Sequence, residues 1–166
     1  MSYSFDFTPV FAAWPMLLDG VMGTLRMSSI SMVLGLSLGI VFMSMRMSGQ
    51  PVLRSVAIGY IELIRNTPIL VQVFFVFFGM PAIGIRLSGE QAAILAMTLN
   101  CAAYAAEIVR GGVQSIRPGQ IEAGKALGLH TADIYRFIVF RPAIRAVYPA
   151  LCSQFILMML NSSLVS

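Results

Sequence analysis

The chain has 166 residues, 58% hydrophobic and only 11% charged, with a mean hydropathy of +0.84 and a net charge of +4. That balance lies far outside the range of soluble domains and defines an integral membrane protein. The charges are clustered, which leaves four uncharged windows: Met27 to Met45, Asn66 to Ile85, Gln91 to Ala106, and Ala146 to the last residue. A bilayer core of ~30 Å needs about 20 apolar residues of helix, so about four spans are predicted, the third extending through Glu107 to Arg110. The runs are continuous and rich in Leu, Met, Ala and Gly, whereas barrel strands would alternate over shorter segments. The predicted fold is therefore an all-α helical membrane bundle.

Ahead of the first span, Phe5 to Leu18 carries Trp14 and Pro15 and is expected at the outer interface. No basic region precedes it, which argues against a cleavable signal peptide. Within the first span Ser31, Gly35 and Gly39 form a small-residue groove. Such a groove suits a subunit interface or, with more weight, packing inside the chain. Met43, Met45, Met47, Met158 and Met159 are read as gap fillers or lipid-facing groups.

The second span is preceded by YIELIRNTPILVQ, where Glu62 and Arg65 can pair on one helical face. Pro68 breaks the backbone ladder there, with Asn66 and Thr67 available to the freed groups. In the third span Asn100, Tyr104 and Glu107 recur at helical spacing as a polar stripe. Ionisable groups at membrane depth point to a functional site; the alternative is that Glu107 sits at the cytoplasmic end and pairs with Arg110. Cys101 and Cys152 fall in spans and have no disulfide or metal-ligand spacing.

Between the last two windows lies IRPGQIEAGKALGLHTADIYRFIVFRP, residues 116–142, a polar and basic insert. Pro118 opens and Gly128 closes a predicted helix of about two turns. Ile121, Ala123, Ala126 and Leu127 cannot all be covered by so small an element, so the helix either docks a partner or packs on its own bundle. Gly119, Gly124 and Lys125 imitate a phosphate-binding loop, but Ala126 stands where a hydroxyl is needed and no strand precedes it. No Ser-His-Asp, Cys-His or paired-carboxylate constellation appears, and the single histidine, His130, lies in a polar loop. Neither catalysis nor nucleotide binding is expected of this chain.

Arg46, Arg54 and Arg65 follow the first span, and Arg110, Arg117, Lys125, Arg136, Arg141 and Arg145 separate the third from the fourth. Only Arg26 precedes the first span, and Arg86 alone separates the second and third. The positive-inside rule then places the N-terminus outside and the loops at about 46–56 and 110–145 in the cytoplasm. Topology accounts for the net charge, so no nucleic-acid partner is expected.

Glu122-Ala123-Gly124, followed by Gly128 and Ile138, resembles the Glu-Ala-Ala loop of permease subunits of bacterial ABC importers. IELIRNTPILVQVFFVFFGMP from Ile61, LNCAAYAAEIVRGGVQSIRPGQIEAGKALGL from Leu99 and QFILMMLNSSLVS from Gln154 are similar to the polar amino acid and opine branch of that family. The resemblance covers nearly the whole chain and rests on several separated motifs in one order. It implies a multi-pass inner-membrane permease, usually of five spans, that accepts a polar amino acid or opine-like substrate from a periplasmic or extracellular binding protein. A second permease, identical or paralogous, would complete the path within the membrane lipid. ATP and magnesium would be held by a separate cytoplasmic ABC ATPase, and this chain would hold no cofactor itself. Glu122, Ala123, Gly124, Leu127 and Gly128 would form the coupling helix contacts with that ATPase. Alternating access by rigid-body rocking would move substrate past Thr67, Asn100, Tyr104, Glu107 and Asn161, with Pro68 at the helix break.

Three departures from the family pattern stand out. Gly124 replaces the usual Ala, which should loosen the helix by up to ~1 kcal/mol. Phe140-Arg141-Pro142 places the proline one position late, and Leu160-Asn161 replaces a frequent Lys-Asp pair. The neutral Asn161 argues against assuming a cationic substrate. Family members usually continue past the segment that ends here, so residues 1–166 are expected to be one permease domain cut short at its C-terminal end, as a fragment or a truncated product. Two other classes compete: an ion-coupled secondary transporter with Glu107 as its ion site, which predicts an inverted repeat that is not found, and a non-transporting membrane scaffold.

Overall fold

The computed structural model describes residues 7 to 164, which form helices and no strand. Helix α1 (Thr8–Ala12) precedes α2 (Trp14–Met47), whose 34 residues make about 51 Å of helix. Trp14 and Pro15 open the first long helix, while Phe5 and Asp6 lie outside the described residues. Proline is tolerated in a first turn because the N–H it lacks would have had no partner there. The helix begins earlier than predicted although it includes Asp19 and Arg26; Arg26 lies 3.5 Å from Glu90 at that end of the bundle.

Among the described residues three helical runs are long and apolar enough to cross a membrane: α2, α5 (Gly89–Gln114) and the run Thr131–Ser162. A fourth is counted only if the pair α3 (Pro51–Arg65) and the run Ile69–Ile83, bent by 106°, is taken as one broken span. The second predicted span is corrected accordingly. Residues 66–68 are the bend itself, and α4 (Ile69–Gly79) starts after it and closes in a 3-10 turn.

Helix α5 is the axis of the bundle. Its start is set by a capping box in which the Gln91 N–H donates to Ser88 Oγ and the Ser88 N–H to Gln91 Oε1, at 3.3 and 3.0 Å. Ala92, Ala93, Ala96, Ala102, Ala103, Ala105 and Ala106 are buried because α2, α3, α4 and α8 (Arg141–Ser162) pack around them. Small side chains make this possible: a Cβ added at Gly35 would sit 2.5 Å from that of Cys101, and one at Gly39 would sit 2.7 Å from that of Ala105. The groove of the first span therefore packs within the chain, and Ser31 Oγ reinforces it by donating to the Ile94 carbonyl at 3.3 Å. Met158 is buried in this core with Met97 and Cys101, as a gap filler, whereas Met47 is exposed.

After α5 the chain forms α6 (Pro118–Ala126), a single turn α7 (Thr131–Asp133) and a π-helical stretch Ile134–Phe140 that runs into α8. A π-turn accommodates one residue more than an α-turn, which suits a proline that arrives one position late. Pro142 occupies the first turn of α8.

Candidate functional site

The bend at residues 66–68 is the origin of the site. Pro68 has no N–H to offer the Ile64 carbonyl, and that carbonyl instead accepts from Gln72 Nε2 at 2.8 Å. The same nitrogen donates to the Thr67 carbonyl at 2.8 Å, and Thr67 Oγ1 donates to the Leu63 carbonyl at 2.7 Å. Thr67 thus satisfies one freed group as expected, but the principal partner is Gln72, which the sequence reading passed over. Its signal was available: a lone amide in an apolar run, four residues after the proline. Gln72 Oε1 in turn accepts from Asn100 Nδ2 at 3.2 Å, both side chains being buried, so the break is tied to the axial helix.

Around this tie lies a cavity of about 380 Å³. The break contributes Arg65, Asn66, Thr67, Pro68 and Ile69, α5 contributes Asn100 and Tyr104, and one face of α8 contributes Gln154, Leu157 and Asn161. Four of the five path residues proposed from sequence, Thr67, Asn100, Tyr104 and Asn161, are brought together here with Pro68. Arg65, Asn66 and Gln154 were not anticipated as lining groups. The lining offers amides, hydroxyls and one guanidinium, and no carboxylate.

Glu107 does not line the cavity. It accepts from Arg46 at the end of α2, from Arg110 Nη2 at 2.6 Å and, at 3.9 Å, faces Arg65 Nη1. The pairing with Arg110 was one of the two sequence readings; the enlistment of Arg46 and Arg65 is new. Among the described residues no ion pair joins Glu62 to Arg65, because Arg65 turns instead toward Glu107 and lies 5.4 Å over the Tyr104 ring. Arg65 and Tyr104 thereby connect the ion cluster to the cavity.

The second feature is α6. Pro118 begins it, and its end is a Schellman motif: the Leu129 N–H donates to the Gly124 carbonyl at 3.1 Å and the Gly128 N–H to the Lys125 carbonyl at 3.0 Å. Gly128 has φ +74°, a left-handed conformation that favours glycine. Glu122, Ala123, Leu127 and Gly128 are exposed. Gly124 is not: a Cβ there would lie 2.8 Å from Ile138 Cδ1 and 3.1 Å from Ile134 Cγ1. The residue proposed as a contact faces the chain's own π-helical stretch and sets how closely α6 approaches it. His130 is exposed beyond the helix.

Residues 31–166 match the family described as the binding-protein-dependent transport system inner membrane component. The chain is 38% identical to the nopaline transport system permease protein NocM of Agrobacterium fabrum, over 97% of this chain and 71% of that protein. It is 37% identical to the glutamine transport system permease protein GlnP of Escherichia coli (strain K12), over 96% of this chain and 74% of that protein. A crystal structure of an amino acid ABC transporter with histidines superposes with a TM-score of 0.89 at 34% identity, covering 98% of this chain and 76% of that one. An inward-facing structure of the MetNI methionine ABC transporter shares the fold, with a TM-score of 0.68 at 24% identity, over 90% and 74% of the two chains. Helices of spanning length, a polar cavity at a helix break and these similarities agree: the chain belongs to the binding-protein-dependent transport system inner membrane component family, a multi-pass permease component of the inner membrane.

Proposed function

We propose that this chain conducts a polar amino acid or opine-like molecule inward across the membrane by alternating access, as the permease subunit of an ATP-binding cassette importer. The observation that carries the reading is the cavity at the bend, where Thr67, Asn100, Tyr104, Gln154 and Asn161 present neutral hydrogen-bonding groups inside an otherwise apolar bundle. Polar groups gathered at membrane depth around a hollow mark a substrate path. An external binding protein delivers the substrate, a second permease completes the path, and a cytoplasmic ATPase holds ATP and magnesium. The ATPase docks on the exposed side of α6, at Glu122, Ala123, Leu127 and Gly128, with Gly124 behind them. This orientation, with the N-terminus outside, is supported by the excess of arginine at the α6 end of the bundle.

The test is uptake of labelled glutamine into liposomes containing the assembled transporter. ATP-dependent uptake that falls at least tenfold in Asn161→Leu, with the ATPase still bound, is the expected result. Uptake that ignores ATP and collapses with the proton gradient would sink the reading and favour a secondary transporter.

A further inference from the structure

The arginines at the start of the last membrane run form a site that transport leaves unused. Arg136 and Arg141 lie over the same Phe137 ring, with guanidinium carbons 5.4 and 5.1 Å from its centroid. The π-helical stretch Ile134–Phe140 holds the first of them, and Arg145 follows Arg141 by one α-turn. Arg136, Arg141 and Arg145 border a cleft of about 470 Å³ with Phe140 and Ile144. Among the described residues none of the three is in an ion pair, so three like charges face one cleft without a counterion. Stacking on an aromatic ring orients a guanidinium but leaves its N–H donors free.

A second hollow of about 480 Å³ adjoins this cleft and shares Arg136 and Phe140 with it. Its remaining walls, Val113, Ala132, Tyr135, Val139 and Ala143, are apolar or aromatic. The run Thr131–Ser162 has 32 residues, about 48 Å of helix, against a hydrocarbon core of ~30 Å. Its first turns therefore have length to stand in the headgroup layer, where arginines reach phosphates and apolar hollows open toward acyl chains. We propose that this face binds an anionic phospholipid, its phosphate among Arg136, Arg141 and Arg145 and one acyl chain in the adjoining hollow. Basic pockets beside membrane helices recognise anionic lipid in this way.

The assembled transporter, stripped of lipid and titrated with phosphatidylglycerol or phosphatidylcholine, tests this by native mass spectrometry. Phosphatidylglycerol should be retained at least tenfold more tightly, and R136Q/R141Q/R145Q should reduce it to the phosphatidylcholine level. The triple lysine variant should keep most of the preference. Should the triple glutamine variant not assemble, Arg145→Gln alone should still weaken retention about threefold. Unchanged retention in the glutamine variants, equal retention of the two lipids, or displacement by millimolar inorganic phosphate would each overturn the proposal. So would loss of the ATPase from the glutamine variant with lipid retention intact, since the face would then be a protein interface.

Discussion

Helices α5 and α6 are both rich in alanine and glycine, yet those small residues do opposite things. Along α5 the alanines from Ala92 to Ala106 are sealed, because α2, α3, α4 and α8 pack around them. Along α6 only Gly124 is buried, against Ile134 and Ile138, and the outward residues Ala123 and Ala126 stay exposed. A small residue permits close approach but does not choose the partner. In α5 the partner is the chain itself; in α6 the exposed side is left for something else.

Substitutions can break that contrast or sharpen it. The largest effect is expected at the lower end of α5, where Glu107→Leu would leave Arg46, Arg65 and Arg110 without their shared carboxylate. A loss of about 3 kcal/mol is expected, read as a lowered thermal midpoint of the detergent-solubilised protein and largely restored in Glu107→Asp. In the sealed seam, Gly39→Val would push against Ala105 and the Ala102 carbonyl at 2.9 Å, costing about 2 kcal/mol. Gly111, on α5 but facing open space, should accept alanine with no drop in midpoint. If Gly39→Val proves neutral, the seam is looser than described.

Smaller effects are expected at the bend and at α6. Gln72→Leu would leave the Thr67 carbonyl and the Asn100 amide without their Gln72 partner, and the Ile64 carbonyl with only the Thr67 N–H at 3.3 Å. About 1–2 kcal/mol should be lost, together with increased hydrogen exchange at residues 64–68. Gly128→Ala strains a left-handed position at about 1 kcal/mol, and should fray α6 while the bundle midpoint stays put. Leu127→Asp, at a side chain 80% exposed, should cost almost no stability yet reduce co-purification of the ATPase. A Leu127→Asp protein that melts early with its ATPase still bound would mean that α6 belongs to the core, and the contrast with α5 would fail.

Much of the fold was legible because hydropathy in a membrane protein is a strong constraint: uncharged windows located α5 and the final run, and Pro68 marked the break. The ends of α2 were not legible, since a helix can continue into the headgroup layer with Asp19 and Arg26 in place once Glu90 offers a partner. Helical spacing placed Asn100 and Tyr104 on one face of α5, and both line the cavity. The same spacing put Glu107 on that face, but one further turn carries it out of the cavity and among three arginines, its neighbour Arg110 and, from other helices, Arg46 and Arg65. Gly124 shows the reverse. Its identity was visible, but the direction it faces depends on Ile134 and Ile138, which return to it only through the turn at Gly128.

What the sequence by itself determined was the class of molecule, the approximate spans, the helix of residues 118–126 and the polar character of the path. These follow from local chemistry: the cost of charge in hydrocarbon, the missing N–H of proline, the left-handed freedom of glycine. Only the tertiary structure decided which polar groups meet. Gln72 reaches Asn100, Arg65 leaves Glu62 for Glu107, and Gln154 and Asn161 arrive from α8 to close the cavity. Such pairings depend on where a bend of 106° sends the chain, because it brings together groups that are far apart in the sequence.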